Sequence, residues 1–303
     1  MTFDQQTESG FEEAVIKPGK KKSILDFMEM TEKGEKITYL TAYDYPMAVF
    51  CEKAGIDMLL VGDSAAMIVH GLPGTVPMTM DQMIQHCQSV RRGAPNTFVI
   101  GDMPFLSYQI SVESAIENAG RFFKEANVDA IKLEGGRRIS KQIEGIVNSG
   151  MTVMGHIGMT PQSSVQYGGF KAQARTAEDA VEVIKDAIAV ERAGAFATVL
   201  EAVPPEVGKV VAEMLKIPVL GIGAGMYTDG QQLIIGDVLG YFEAFTPRFA
   251  KKYANIAEIA VKAIREFIND VRTDKFPERK HCYRMVKGES DKLEGMLKNM
   301  PPQ

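Results

Sequence analysis

Short apolar runs followed by longer stretches of helical periodicity recur eight times in this chain, and that rhythm limits its architecture more than any other feature. The runs are Ile37–Ala42, Met58–Gly62, Thr97–Gly101, Ala130–Leu133, Thr152–Gly155, Ala197–Leu200, Val219–Gly221 and Leu233–Ile235. Each is short and continuously apolar, as a strand buried on both faces must be. Between them lie helix-like stretches at Met47–Ala54, Val112–Ala126, Lys141–Val147, Ala177–Ala193 and Pro205–Leu215. The last two stop at or near Gly194 and Pro218. Eight strand–helix repeats in about 240 residues predict an α/β fold of the (β/α)8 TIM-barrel type. The alternative is a doubly wound open sheet, which usually carries a glycine-rich turn after its first strand. Here that turn reads Tyr43-Asp44-Tyr45-Pro46, without glycine.

The barrel is expected to span residues 23–272. A flexible polar arm, residues 1–22, precedes it, and a charged tail, residues 273–303, follows. Ser23 opens a short amphipathic helix, SILDFMEMTEKG, placed to lid one end of the barrel. Ile256–Val271 and the SDKLEGMLKNM segment supply extra C-terminal helices without a second core. Thirty-four Lys+Arg against 39 Asp+Glu give a net charge of −5. With no basic stripe, nucleic acid is not expected as a partner. No apolar run approaches the roughly 20 residues of a membrane span. The first residues lack a secretory pattern, so a cytoplasmic address is expected. Cys51, Cys87 and Cys282 show no CxxC spacing and are expected to be reduced and mostly packing.

In a barrel, functional groups come from the carboxyl ends of several strands. Here Asp44, Asp63-Ser64, Asp102, Glu134, His156 and Glu201 follow or close the first six runs. Asp63 lies in LLVGDSAAM, Asp102 in FVIGDMPF and Glu134 in AIKLEGG. A carboxylate among apolar residues must be paired, hydrogen-bonded or metal-bound. Three on one barrel face suit Mg²⁺; singly, each could instead cap a helix or pair with Lys132 or an arginine. Lys132 and Glu134, two apart on one strand, share a face. The neighbouring carboxylates favour a charged, electrostatic lysine over a Schiff-base amine. His156 is equally a structural hydrogen-bond partner or an accessory to catalysis. Glu201 stands after apolar residues and before Pro204-Pro205 with no basic partner in sequence, the setting of a general base. Gly221–Gly225, GIGAG, could cradle a phosphate at a helix start but lacks the full GxGxxG frame. His70, His86 and His281 show no zinc spacing.

Taken in order, TAYDYPMA, VGDSAAM, TVPMTMDQMIQH, VRRGAPN, GDMPFLSY, IKLEGG, GHIGMTPQS, GGFKAQAR, LEAVPPE, PVLGIGAGMYTDGQ and FTPRFAKKY resemble the motifs of the ketopantoate hydroxymethyltransferase family, from about Ser23 to about Tyr283. The resemblance implies a barrel of the phosphoenolpyruvate/pyruvate superfamily type. It also implies transfer of a hydroxymethyl group from 5,10-methylenetetrahydrofolate to 3-methyl-2-oxobutanoate, giving 2-dehydropantoate for pantothenate and coenzyme A, through a Mg²⁺-stabilised enolate. It makes Asp63, Asp102 and Glu134 the metal site, with Mg²⁺ or another divalent cation expected. Asp63, Ser64, Asp102 and Lys132 become the oxo-acid contacts and Glu201 the proton acceptor. His156 falls in the fifth-strand motif near the site. A homo-oligomer, a decamer, is expected from the family. Small-molecule partners, the oxo acid and the folate, follow from it.

This chain departs from the family in three places. Ala65-Ala66 stands where Leu-Gly is usual, Gly236-Asp237 where His-Asp is usual, and Ala174 where Gly is frequent. Ala65 and Ala66 raise the expectation of a reshaped pocket. Two other readings compete: a Mg²⁺-dependent oxo-acid lyase or mutase of the same superfamily, and a non-catalytic oxo-acid-binding paralogue. The lyase-type KKCGH signature is absent.

Overall fold

The computed structural model describes residues 20–301. They divide into two compact units, one running to Tyr253 and one from Ala254 onward. In the first, eight parallel strands close into a barrel in sequence order. They are β1 (Ile37–Thr41), β2 (Met58–Val61), β3 (Phe98–Asp102), β4 (Ala130–Glu134), β5 (Val153–Gly158), β6 (Ala197–Glu201), β7 (Val219–Ile222) and β8 (Gly230–Leu233). The helices of this unit are α1 (Ile24–Glu32), α2 (Tyr45–Lys53), α3 (Ala65–Ile68), α4 (Met80–Gly93), α5 (Val112–Ala126), α6 (Ser140–Asn148), α7 (Ala177–Arg192), α8 (Pro205–Met214) and α9 (Ile235–Leu239). The second unit holds α10 (Ile256–Arg272) and α11 (Glu289–Lys298). Among the described residues no helix is long and apolar enough to cross a membrane.

Side chains along each strand alternate between the lumen and the outer helices. Ile131 and Leu133 of β4 join the cluster packed under the helices, whereas Ala130 joins the lumen cluster with Met58, Leu60, Ile100, Met154 and Leu220. Lys132 and Glu134, in phase with Ala130, therefore face the lumen. The lumen is apolar at the amino ends of the strands, where α1 closes it. Phe27 of α1 is fully buried and meets Phe98 edge-on, with ring centroids 5.2 Å apart. Ser23 fixes the start of that helix through a capping box with Asp26, satisfying two otherwise free N–H groups.

Several expectations shift. The eighth strand lies earlier than Leu233–Ile235, at Gly230–Leu233, because its two glutamines hide it from a search for apolar runs. No helix separates β7 from β8, so GIGAG cannot cradle a phosphate at a helix start. Instead Gly223 has φ +68°, and a Cβ there would lie 2.5 Å from Phe249 Cδ1; the glycine admits the phenyl ring. The boundary expected at residue 272 falls inside the second unit, at the end of α10. Most of the expected arm lies outside the described residues. Its last two lysines, Lys21 and Lys22, pair with Asp129 and Asp57. Cys51 and Cys87 are buried and Cys282 is exposed, all three as free thiols, so Cys282 is not a packing residue.

Candidate active site

Five of the seven site residues come from the upper ends of adjacent strands, and the ladder register makes them neighbours. Asp102 of β3 pairs across to Lys132 of β4, and Glu134 of β4 to His156 of β5. Glu201 closes β6 opposite Gly158. Asp63 and Ser64 follow the end of β2, and the backbone N–H of Asp63 donates to Asp102 Oδ2 at 3.0 Å. Asp63, Ser64, Asp102, Lys132, Glu134, His156 and Glu201, the residues singled out from sequence, thus line one cavity. Ser64 is further held by Tyr43, their oxygens 2.8 Å apart.

Lys132 is the hub of the charged floor. Its Nζ lies 2.9 Å from Asp102 Oδ1 and 3.7 Å from Glu134 Oε1, with only 2% of its side chain exposed. Burial alone would lower its pKa, but the charges of Asp102, Glu134 and Asp63 outweigh that and raise it, so the ammonium persists. This disfavours the free-amine role. Burial raises the carboxyl pKa values of Asp63, Asp102 and Glu134, and Lys132 pulls each back down. Three carboxylates against one ammonium leave surplus negative charge, which a bound cation would relieve.

His156 connects this floor to Glu201. Nδ1 is 3.2 Å from Lys132 Nζ, which has only protons to offer, so Nδ1 accepts and the neutral ring carries its proton on Nε2. Burial and then Lys132 lower the His156 pKa, consistent with a neutral ring. Nε2 lies 3.0 Å from Glu201 Oε2, close but off the hydrogen-bonding direction. Asp102 Oδ1 and Glu134 Oε1 are likewise buried without a hydrogen-bond partner, the former despite its proximity to Lys132. Seven buried side-chain atoms lack partners among the described residues, and five of them belong to residues lining this cavity. Orphaned polar atoms are rare in native interiors, so their concentration here marks a place built for ligands.

Two contributors were not singled out as site residues from the sequence, although the family-like motifs GHIGMTPQS, GGFKAQAR and FTPRFAKKY carry Gln162, Phe170, Phe245 and Phe249. Gln162 holds the floor together: Nε2 donates to Asp63 Oδ2 and to the Met103 carbonyl, each at 2.9 Å, and its backbone N–H donates to Glu134 Oε2 at 2.9 Å. Tyr108 donates to Gln162 Oε1 at 2.7 Å and so fixes which way the amide points. A glutamine after a proline reads as surface, and only the fold reveals its burial. The second is an apolar wall over the floor, including Met67, Ile68, Phe170, Phe242, Phe245 and Phe249. Ala65 and Ala66, expected to reshape the pocket, are fully buried under the outer helices, and neither lines the cavity. No group of three His, Cys, Asp or Glu side chains is arranged as a ready-made metal cluster among the described residues.

The sequence of the ketopantoate hydroxymethyltransferase family matches residues 21–279. The chain belongs to that family. A 3-methyl-2-oxobutanoate hydroxymethyltransferase of Alkaliphilus metalliredigens is 57% identical over 267 residues, covering 88% of this chain and 94% of the relative. One from Moorella thermoacetica is 49% identical, covering 84% and 95%. Among solved structures, a phosphonopyruvate hydrolase in complex with oxalate and Mg²⁺ superposes with a TM-score of 0.56 at 14% identity, covering 91% of this chain and 95% of the other. A 2,3-dimethylmalate lyase, of the PEP mutase/isocitrate lyase superfamily, gives 0.52 at 17%, covering 90% and 98%. At such identities these two speak to the barrel fold alone, and they agree with the superfamily architecture that the family resemblance implies.

Proposed function

We propose that this protein transfers a hydroxymethyl group from 5,10-methylenetetrahydrofolate to 3-methyl-2-oxobutanoate, giving 2-dehydropantoate on the route to pantothenate and coenzyme A. The observation that carries this reading is a buried ammonium, Lys132, set among three carboxylates lining one cavity, two of which keep a buried oxygen without a hydrogen-bond partner. That arrangement suits an anion and a cation bound together. It occurs in a chain with a relative of that name at 57% identity.

The donor set fits a divalent metal. Asp102 Oδ1 and Glu134 Oε1 are hard oxygens without hydrogen bonds, and Asp63 lies beside them. Mg²⁺ takes one or two carboxylates and keeps waters or substrate oxygens for the rest, so it needs no preformed cage of three. Asp63, Asp102 and Glu134 are the residues that would hold the ion. When bound, the metal supplies Lewis acidity at the carboxylate and keto oxygens of the oxo acid.

The chain's own residues do the rest. Lys132 and Ser64 bind the oxo acid, and the ammonium stabilises negative charge as it develops on the keto oxygen. Glu201 removes the proton from C3, leaving an electron pair that forms the new carbon–carbon bond to the one-carbon unit. Water supplies the hydroxyl, and tetrahydrofolate leaves. His156, with Nδ1 fixed by Lys132 and Nε2 3.0 Å from Glu201 Oε2, lies between the charged floor and the general base. Burial of the floor excludes bulk water from this step.

The test is deuterium exchange at C3 of 3-methyl-2-oxobutanoate, followed by NMR with and without Mg²⁺. Metal-dependent exchange is expected. Glu201→Gln should slow it by about 10²- to 10⁴-fold, the range for a positioned general base, with the melting temperature held. Exchange at the wild-type rate in Glu201→Gln would remove that residue from the proton step. Product formation without folate would point to the lyase or mutase chemistry instead.

We also read the protein as a cytoplasmic homo-oligomer, a decamer by its family. The 17-residue α10 supports assembly: it buries none of its residues and leaves Ile264, Phe267 and Ile268 exposed. Sedimentation of the full chain as a monomer at micromolar concentration would remove that part.

A further inference from the structure

The cavity holds one carboxylate that the proton-transfer chemistry leaves unused. Asp237, in α9, is only 3% exposed and lines the cavity, yet its side chain makes no hydrogen bond or ion pair among the described residues. Its oxygens are not among the seven sealed atoms without partners: they keep contact with the cavity, so a ligand there can reach them. Burial pushes its pKa up to about 6, and Lys252 acts on it only as a distant charge. Its neighbourhood differs from the floor. Phe242, Phe245 and Phe249 stand on the same stretch of chain and line the same cavity. Phe242 reaches its place because residue 236 is glycine: a Cβ at Gly236 would lie 3.0 Å from Phe242 Cβ, closer than ordinary packing allows. Phe245 lines the cavity while remaining half exposed, so its ring is accessible from the cavity mouth.

An ionised carboxylate only accepts hydrogen bonds, and aromatic rings favour flat partners. The complementary ligand is a planar nitrogen heterocycle that presents adjacent N–H donors. The pterin of the one-carbon donor has such an edge, an amide N–H beside an exocyclic amine. We propose that Asp237 recognises this edge, accepting both donors with its two oxygens, while Phe242, Phe245 and Phe249 bracket the ring plane. The inference rests on the transferase reading and deepens it. It assigns the aromatic half of the cavity to the one-carbon donor, as the charged floor is assigned to the oxo acid. Asp237 is then a specificity-determining residue for the second substrate.

The experiment is calorimetric titration of the full-length protein with tetrahydrofolate and, separately, with 3-methyl-2-oxobutanoate plus Mg²⁺. Wild type, Asp237→Asn and Phe245→Ala are compared. The tetrahydrofolate Kd should rise about tenfold or more in Asp237→Asn, the loss typical of a charge-assisted hydrogen bond, while the oxo-acid Kd moves less than about twofold. Phe245→Ala, at an exposed position, should raise the tetrahydrofolate Kd about fivefold or more, as expected for lost ring stacking. Asp237→Asn should melt no lower than wild type, because it removes a buried unpaired charge; a purely structural aspartate would show the reverse. An unchanged tetrahydrofolate Kd in both variants, an equal loss for both ligands, or an unfolded Asp237→Asn would each overturn the proposal. Wild type that binds the oxo acid but no tetrahydrofolate would instead overturn the donor itself, and this assignment with it.

Discussion

The two ends of the barrel lumen are made by the same strands and could hardly differ more. At the amino ends Phe27, Phe98 and Phe196 fill the space with rings, the first two at 5.2 Å edge to face and the last two 5.6 Å apart. At the carboxyl ends, with Asp102 four residues on from Phe98 and Glu201 five on from Phe196, stand Asp102, Lys132, Glu134, His156 and Glu201, with polar atoms left unpaired. One end is packed to satisfaction, and the other is held under electrostatic tension. The lesson is a division of labour: the apolar plug and the outer helices stabilise a floor that is costly by itself.

The sharpest way to break this contrast is at Lys132. Lys132→Met would leave buried carboxylates without their counter-charge. It should lower stability by about 3 kcal/mol, as for a buried ion pair deprived of one partner. It should also cut transferase activity by about 10²- to 10³-fold, the usual loss of one charge-stabilising group. Urea unfolding and steady-state kinetics check both; activity within a few fold of wild type would mean the floor does not act as described. At the opposite end, Phe27→Ala should cost about 3 kcal/mol through the cavity it opens, while kcat stays near wild type in the folded fraction. A fall in kcat at full occupancy of the folded state would show that the two ends are coupled rather than divided. The smallest expected effect concerns the backbone. Ala174 has φ +56°, in the left-handed region, as does Ala202 at +49°, and the two are joined through a bond from the Gln173 N–H to the Ala202 carbonyl at 2.9 Å. Ala174→Gly should relieve strain and stabilise by about 0.5 kcal/mol, the modest remainder after the added freedom of the unfolded chain is subtracted. Thermal denaturation resolves a shift of that size, and a clear destabilisation would show that the methyl group packs usefully.

How much of this was legible from the sequence depends on chemistry rather than position. Strands buried on both faces announce themselves as apolar runs, and seven of the eight were found within a few residues of their observed bounds. β8 was displaced because Gly230, Gln231 and Gln232 look nothing like a buried strand, and Leu233–Ile235 drew attention away from them. Asp63, Asp102 and Glu134 stood out because a carboxylate inside an apolar run has few explanations. Gln162 did not, because a neutral amide carries no such conflict until its neighbours are known. Asp237 was visible as a residue following an unexpected glycine, but its isolation from every partner could appear only in three dimensions. The aromatic wall was hidden for a similar reason. Phe242, Phe245 and Phe249 lie in irregular chain, where no periodicity indicates which way a ring turns.

The ladder register has a consequence for how this molecule is assembled. Asp102 sits beside Lys132, and Glu134 beside His156, only because β3, β4 and β5 meet in one alignment. Since side chains alternate, a slip of one residue at β4 would turn Lys132 and Glu134 out among the helices and bring Ile131 and Leu133 into the lumen. Such a barrel would suffer twice, with charges stranded in an apolar layer and greasy side chains facing carboxylates. The same charges that line the finished site therefore penalise a misaligned barrel relative to the native one.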